Sequence, residues 1–204
     1  MNATKPTVVI AGAGPAGMLL AYQLVSNGVP VRVLEQHADF DREFRGDLIG
    51  PSVLPTLERL GLLPILVARG QARAGVERCM FVGARRRVTL PMGKELGALV
   101  SQAGLLGLLH ELCSRHPHYE MQFGTTALRA IREGERVVAI ETRRDGVAGR
   151  VDGDVFVACN GRNSRLRKDI GIPLELDVKP DTTLWLRFDF TDAKQALPET
   201  LDVH

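Results

Sequence analysis

Residues 7–35 read TVVIAGAGPAGMLLAYQLVSNGVPVRVLE, and the rest of the chain is organised around them. Val8, Val9 and Ile10 form a β-branched run of the kind a buried parallel strand requires. The six residues Gly12-Ala13-Gly14-Pro15-Ala16-Gly17 follow, a complete G-x-G-x-x-G. The next stretch predicts a helix with Ala16, Leu20 and Leu24 on one stripe and Gly28 just past its end. A second strand, Val31 to Leu34, ends on the acid Glu35.

Each part of this unit has a physical task. Gly12 permits a tight turn, Gly14 lets the backbone approach a pyrophosphate, and Gly17 lets helix and strand lie close together. The helix start offers N–H groups and the positive end of the helix dipole to the phosphates. Pro15 and Ala16, which lie within the glycine-rich turn, join the candidate binding residues. Glu35 stands 18 residues after Gly17 and can accept bonds from a ribose hydroxyl, with Gln36 beside it. A glycine-rich turn alone is weak evidence. A turn set between a strand and a helix, with an acid at the end of the next strand, predicts a Rossmann-type βαβ dinucleotide site. The motif does not separate FAD from NAD.

The 204 residues are enough to bury a sizeable core, and 45% hydrophobic with 25% charged residues is ordinary for a soluble globular protein. A net charge of +2 gives no argument for a nucleic-acid partner. Cys79, Cys113 and Cys159 form no C-x-x-C, and an odd count argues against a disulfide framework. That fits a reducing cytoplasm. No apolar run reaches the 18 or so residues a bilayer demands, so no membrane span is expected, and the opening MNATKPT lacks a leader's apolar core.

Further along, residues 36–50 read as a polar loop, with charges of both signs around Phe40 and Phe44. A helix is expected from Pro51 or Ser52 to Leu60, and a shorter one from Pro64 to Ala68. Arg78 to Val82 and Arg87 to Leu90 predict a hairpin, in which the Arg85-Arg86-Arg87 cluster makes a solvated turn. Ser101 N-caps a helix to Ser114, whose buried face carries Leu105, Leu108, Leu109 and Leu112. Gln102 then lies in its first turn, where a side chain can reach a ligand beside the sheet. His116 and His118 flank Pro117 in a loop and read as surface residues. Tyr119 to Phe123 predicts a short strand, and Ala127 to Arg132 with Arg136 to Thr142 a hairpin. Asp145-Gly146 begins another turn, and Val151 to Ala158 reads as one strand. A helix over Ser164 to Ile170 is closed by Gly171 and Pro173. Thr183 to Phe190 alternates as a half-buried strand of a second layer.

Four stretches together resemble one family: the opening strand–turn–helix, Phe44-Arg45-Gly46-Asp47 with the helix after it, the Gln102 helix, and Ala158 to Ile170. They are similar to the flavoprotein aromatic hydroxylases, single-component FAD monooxygenases with the p-hydroxybenzoate hydroxylase fold. The resemblance implies that Gly12, Gly14, Gly17 and Glu35 hold FAD, and that Arg45 and Gln102 match a cofactor-contacting arginine and glutamine. It also implies a motif Asp-Gly-x-x-Ser-x-x-Arg, linked to FAD and to the nicotinamide donor. The matching run is Asn160-Gly161-Arg162-Asn163-Ser164-Arg165-Leu166-Arg167. Gly161, Ser164 and Arg167 are kept, while Asn160 stands where the family has aspartate. Asparagine still donates and accepts hydrogen bonds but carries no charge.

The implied fold class is α/β: a Rossmann-type FAD-binding domain with interleaved β-hairpins and the start of a second, substrate β-layer. The implied domains are 1–70 with 101–175 for FAD and 76–100 with 176–204 for the partial substrate layer. The family continues for about as many residues again, an estimate from ordinary two-domain sizes. The chain therefore resembles an N-terminal half, and its oligomeric state is open. The implied activity is NAD(P)H-dependent hydroxylation or epoxidation of an aromatic or other electron-rich small molecule. No acid–base side chain is assigned, because the flavin carries such chemistry. The five histidines show no metal spacing. Two rivals stand beside this reading: a non-catalytic flavin-binding remnant, and an NAD-dependent Rossmann dehydrogenase. The second is weakened because no second run of βαβ units follows residue 60.

Overall fold

The computed structural model describes residues 5–41, 48–74, 78–83, 86–91, 97–175 and 200–203. The chain divides into two compact units, Met1–Arg42 with Leu106–Pro180 and Glu43–Leu105 with Asp181–His204.

The first unit is built on a four-stranded parallel sheet. Its strands are β1 (Val8–Ala11), β2 (Val31–Leu34), β8 (Tyr119–Gln122) and β12 (Val155–Ala158), in the order β12-β1-β2-β8. Val8 pairs with both Val31 and Val155, and Val31 with Tyr119. Between β1 and β2 runs helix α1 (Pro15–Ser26), which ends at Gly28 with φ +70°. Its buried residues are Gly17, Met18, Ala21 and Val25. The expected stripe of Ala16, Leu20 and Leu24 is therefore corrected: Ala16 is exposed and the two leucines are only partly covered. The helix is apolar most of the way round, so spacing does not choose its inner face. The close approach of Gly17 to the preceding turn does.

A three-stranded antiparallel sheet of β9 (Thr125–Glu133), β10 (Arg136–Arg144) and β11 (Val147–Asp152) covers part of the parallel sheet. Val9, Ala11 and Leu34 cluster there with Ile140, Val151 and Leu166, the last from helix α5 (Arg165–Asp169). Strand alternation sends Val8 and Ile10 to the opposite face. Asp145 (φ +50°) and Gly146 (φ +80°) make the two-residue turn from β10 to β11, in the left-handed conformation such hairpins favour.

The expected strand from Val151 to Ala158 is two strands in two sheets. Gly153 and Asp154 hand the chain from β11 to β12. A Cβ at Gly153 would lie 2.6 Å from a Val9 methyl, and Asp154 Oδ2 accepts the Thr7 N–H at 2.8 Å. Tertiary contact fixes this break at Asp152-Gly153-Asp154, a run that is itself a local turn signal.

Helix α4 (Gln102–Cys113) buries Leu105, Leu106, Leu108, Leu109 and Cys113. Leu106 takes the place expected of Leu112, which is half-buried. Ser101 caps the helix, its Oγ accepting the Gly104 N–H at 3.2 Å. His116 and His118 lie in the expected loop and are half-buried, with His118 Nε2 3.0 Å from the Val25 carbonyl.

His110 lies in an aromatic cluster, with ring centroids 5.8 Å from Phe40, 5.6 Å from Phe123 and 5.8 Å from Tyr119. Its Nδ1 is 3.0 Å from the Tyr119 hydroxyl. Burial disfavours the imidazolium and lowers the His110 pKa from its usual 6.5. The unfolded chain then binds more protons below pH 6.5 than the folded one. Stability is expected to fall as pH drops from 6.5 through the lowered value and then to level off. Urea denaturation between pH 5 and 8 should show this slope, and His110→Phe should flatten it.

In the second unit, β3 (Leu48–Ile49) and β4 (Ala72–Ala74) flank β7 (Ala98–Val100), both antiparallel to it. Strand β3 falls inside the expected loop over 36–50, its two residues recruited by the β7 edge. Helices α2 (Leu54–Arg59) and α3 (Leu62–Ala68) bury Leu57, Leu62, Leu63 and Leu66. They meet at Gly61, with φ +69°. The expected hairpin is present as β5 (Arg78–Gly83) and β6 (Arg86–Pro91), and β13 (Thr200–Val203) pairs parallel to β5. Arg86 and Arg87 belong to β6, while Arg85 and the whole of Thr183 to Phe190 lie outside the described residues. Among the described residues no helix is long and apolar enough to cross a membrane.

Candidate dinucleotide site

The site starts where β1 ends. The Gly12 N–H donates to the Leu34 carbonyl at 2.8 Å, and the residue then turns with φ +106°. A Cβ there would stand 2.5 Å from the Cys159 carbonyl oxygen and 2.9 Å from Asn160 Cα. A Cβ at Gly17 would stand 2.0 Å from the Gly12 carbonyl oxygen. Two of the three glycines are thus required by backbone packing within the protein.

Gly14 differs. It has ordinary extended backbone (φ −75°, ψ 179°), and a Cβ on it would meet nothing within 4 Å. It leaves an open approach over the turn, where an anion could come close to the backbone. The Met18 N–H closes the first helical turn on the Gly14 carbonyl at 2.9 Å. The amides of Ala16 and Gly17 therefore have no partner within the helix. Pro15 occupies the first position without wasting an N–H, and no acidic residue stands in the first turn. No carboxylate of the helix's own first turn competes for the positive end of its dipole, which favours a phosphate.

Glu35 follows β2 and is only 3% exposed. Its Oε2 accepts the Ala13 N–H at 2.8 Å, and its Oε1 accepts the His37 N–H at 3.0 Å. Its backbone is clamped as well, donating to the Gln122 carbonyl and accepting from the Thr125 N–H. The acid is thus tied directly to the glycine turn through Ala13. Gln36 beside it is exposed.

The loop after β12 closes the other side. The Cys159 N–H donates to the Ala11 carbonyl at 2.7 Å, which sets Asn160 against Gly12. Burial raises the Cys159 pKa, so its sulfur stays a thiol and is a poor nucleophile. Gly161 has φ +78°, and its carbonyl accepts the Ser164 N–H at 3.1 Å. Ser164 Oγ accepts the Arg167 N–H at 3.0 Å, the N-cap expected of it. Asn160 Oδ1 and Arg167 Nε and Nη1 are buried without a hydrogen-bond partner among the described residues. Unsatisfied buried polar atoms call for a ligand or ordered water.

The structure brings together Gly12 to Gly17, Glu35, Asn160 and Gly161. Gln102, the first residue of helix α4, falls in the second unit, and Arg45 lies outside the described residues. Sequence reasoning passed over Ala13 and His37. Ala13 acts through its backbone, which no side-chain pattern records. His37 had a signal in its place two residues after the acid. Among the described residues no cluster of three His, Cys, Asp or Glu could hold a metal.

The open approach at Gly14, the buried Glu35 carboxylate and the orphaned polar atoms fit a dinucleotide such as FAD. Comparison with known proteins agrees. 6-Methylpretetramide 4-monooxygenase of Streptomyces rimosus is 31% identical over 189 residues, covering 88% of this chain and 44% of that protein. 3-(3-Hydroxy-phenyl)propionate/3-hydroxycinnamic acid hydroxylase of Mycobacterium sp. (strain JLS) is 29% identical over 209 residues, 93% of this chain and 33% of that protein. The chain thus spans less than half the length of these relatives. The crystal structure of p-nitrophenol 4-monooxygenase PnpA from Pseudomonas putida DLL-E4 shares the fold, with a TM-score of 0.68 at 23% identity over 84% of this chain and 44% of that one. Residues 5–200 match the family described as FAD binding domain, and with nearly the whole length matched the chain belongs to that family.

Proposed function

We propose that this chain holds FAD for an NAD(P)H-dependent monooxygenation of an aromatic or other electron-rich small molecule. The observation that carries FAD binding is the open backbone at Gly14 beside the buried Glu35 carboxylate. The amides at the start of α1 bind the pyrophosphate, Glu35 accepts from the adenosine ribose, and Asn160 and Gly161 border the same crevice. When bound, the flavin supplies electron transfer and oxygen activation. The protein's task is to hold it in one orientation and keep water away. The monooxygenase reading is supported by the names of the relatives. The roles of Arg45 and Gln102 rest on resemblance alone, as does the assignment of 1–70 with 101–175 to cofactor and 76–100 with 176–204 to substrate.

Purified protein is expected to be yellow, or to quench the fluorescence of added FAD at one equivalent. Protein that ignores FAD and binds only NAD(H) would overturn the proposal in favour of a dehydrogenase. A second reading, a flavin-binding protein without turnover, is favoured by one observation: Asn160 stands where the resembling family carries an aspartate. NAD(P)H oxidation measured with a panel of aromatic substrates separates the two. Tight FAD binding with no oxidation by any donor supports the second.

A further inference from the structure

We propose that His37 is a positioning residue, which aims the Glu35 carboxylate at the adenosine ribose. The proposal rests on reading Glu35 as the ribose acceptor. His37 grips one oxygen of that carboxylate twice. Its backbone N–H donates to Glu35 Oε1 at 3.0 Å, and its Nδ1 lies 2.6 Å from the same oxygen. An ionised carboxylate only accepts, so Nδ1 carries the proton and donates. The second oxygen, Oε2, is held by the Ala13 N–H at 2.8 Å. The plane of the carboxylate is therefore set from two sides, by the glycine turn and by His37.

His37 is itself held in place. Its carbonyl accepts the Gly124 N–H at 3.0 Å, in the turn between β8 and β9. The Glu35 carbonyl accepts the Thr125 N–H next to it at 2.8 Å. The acid and its partner thus ride on one backbone clamp, and little ordering remains for the imidazole. The Glu35 side chain is 4% exposed and that of His37 is 47% exposed. Charge-assisted bonds of this length are the strong ones, and one that fixes an acceptor before the ligand arrives removes an ordering cost from binding.

The test uses the 204-residue protein and four probes: ADP, its 2′-deoxy and 3′-deoxy forms, and riboflavin 5′-phosphate, which lacks the adenosine ribose. Dissociation constants come from calorimetry or from displacement of bound FAD. The unchanged protein is expected to prefer ADP over a deoxy form by about tenfold, the worth of one bond to a charged acceptor. His37→Ala should cut that preference to about twofold or less and leave riboflavin 5′-phosphate affinity unchanged, since a partial loss of aim acts only on the ribose. His37→Asn places an amide donor near the Nδ1 position and should restore the preference. A merely structural role for His37 would weaken all probes alike and would not be rescued. If Glu35→Ala loses the preference and His37→Ala keeps it, the proposal falls and the ribose reading stands. If the unchanged protein shows no preference, the ribose reading fails and takes the proposal with it.

Discussion

Gly17→Ala is expected to destabilise the first unit by about 3 kcal/mol or more and to abolish FAD binding. The added methyl would lie 2.0 Å from the Gly12 carbonyl oxygen, and that neighbour is backbone at the end of a buried strand. Relief requires α1 to lift away from β1, which would uncover Met18, Ala21 and Val25. Gly12→Ala should behave alike for two reasons. Its methyl meets the Cys159 carbonyl at 2.5 Å, and its φ of +106° is strained for any residue with a Cβ. Gly14→Ala provides the contrast. Nothing lies within 4 Å of its methyl, and the backbone there is ordinary. Stability should change by less than about 1 kcal/mol, the usual scale of an N-cap change. FAD affinity should still fall, because the methyl projects into the open approach. Urea denaturation and FAD titration of the three variants check this ordering. A Gly17→Ala protein as stable as its parent would refute the close strand–helix contact, and a Gly14→Ala protein with unchanged affinity would refute the phosphate path.

Glu35→Ala should weaken FAD by about 10- to 100-fold, as expected where a charged acceptor is lost from a ligand contact. The same change removes the carboxylate acceptor from the Ala13 N–H and from both His37 donors. A stability loss of about 1–3 kcal/mol accompanies it. Glu35→Gln should fall between. An amide has one oxygen and one NH₂, so it satisfies either Ala13 or His37 and turns a donor toward the other. Affinity for riboflavin 5′-phosphate separates ligand contact from damage to the fold: it should follow the stability loss alone, and FAD should lose more. Equal losses for both flavins would mean that Glu35 serves the turn and not the ribose.

The parts of the fold carried by short-range physics were legible in the sequence. Three glycines in register, a β-branched run before them and an acid after the next strand are enough to place β1, α1 and β2. Capping by Ser101 and Ser164 and the Asp145-Gly146 turn were readable for the same reason, since each satisfies its backbone within a few residues. Errors arose where a distant segment made the choice. Helix α1 is apolar on several sides, and only the Gly12 carbonyl decides which side lies down. The run from Val151 to Ala158 was expected as one strand, yet it breaks at Gly153 and Asp154, where Val9 and Thr7 pack against it.

The candidate site divides the same way. By itself the sequence determined the glycine-rich turn between β1 and α1 and the acid after β2 that the turn is bonded to, because both follow from residue type and spacing along one βαβ unit. The tertiary structure alone decided that the glycine turn is braced by Cys159 and Asn160, and that Glu35 is held from one side by Ala13 and from the other by His37. Those contacts join atoms brought together by the pairing of β1 with β12 and β2, and by backbone groups that are the same in every residue. Spacing along the chain cannot carry that information, since only the packed sheet makes these atoms neighbours.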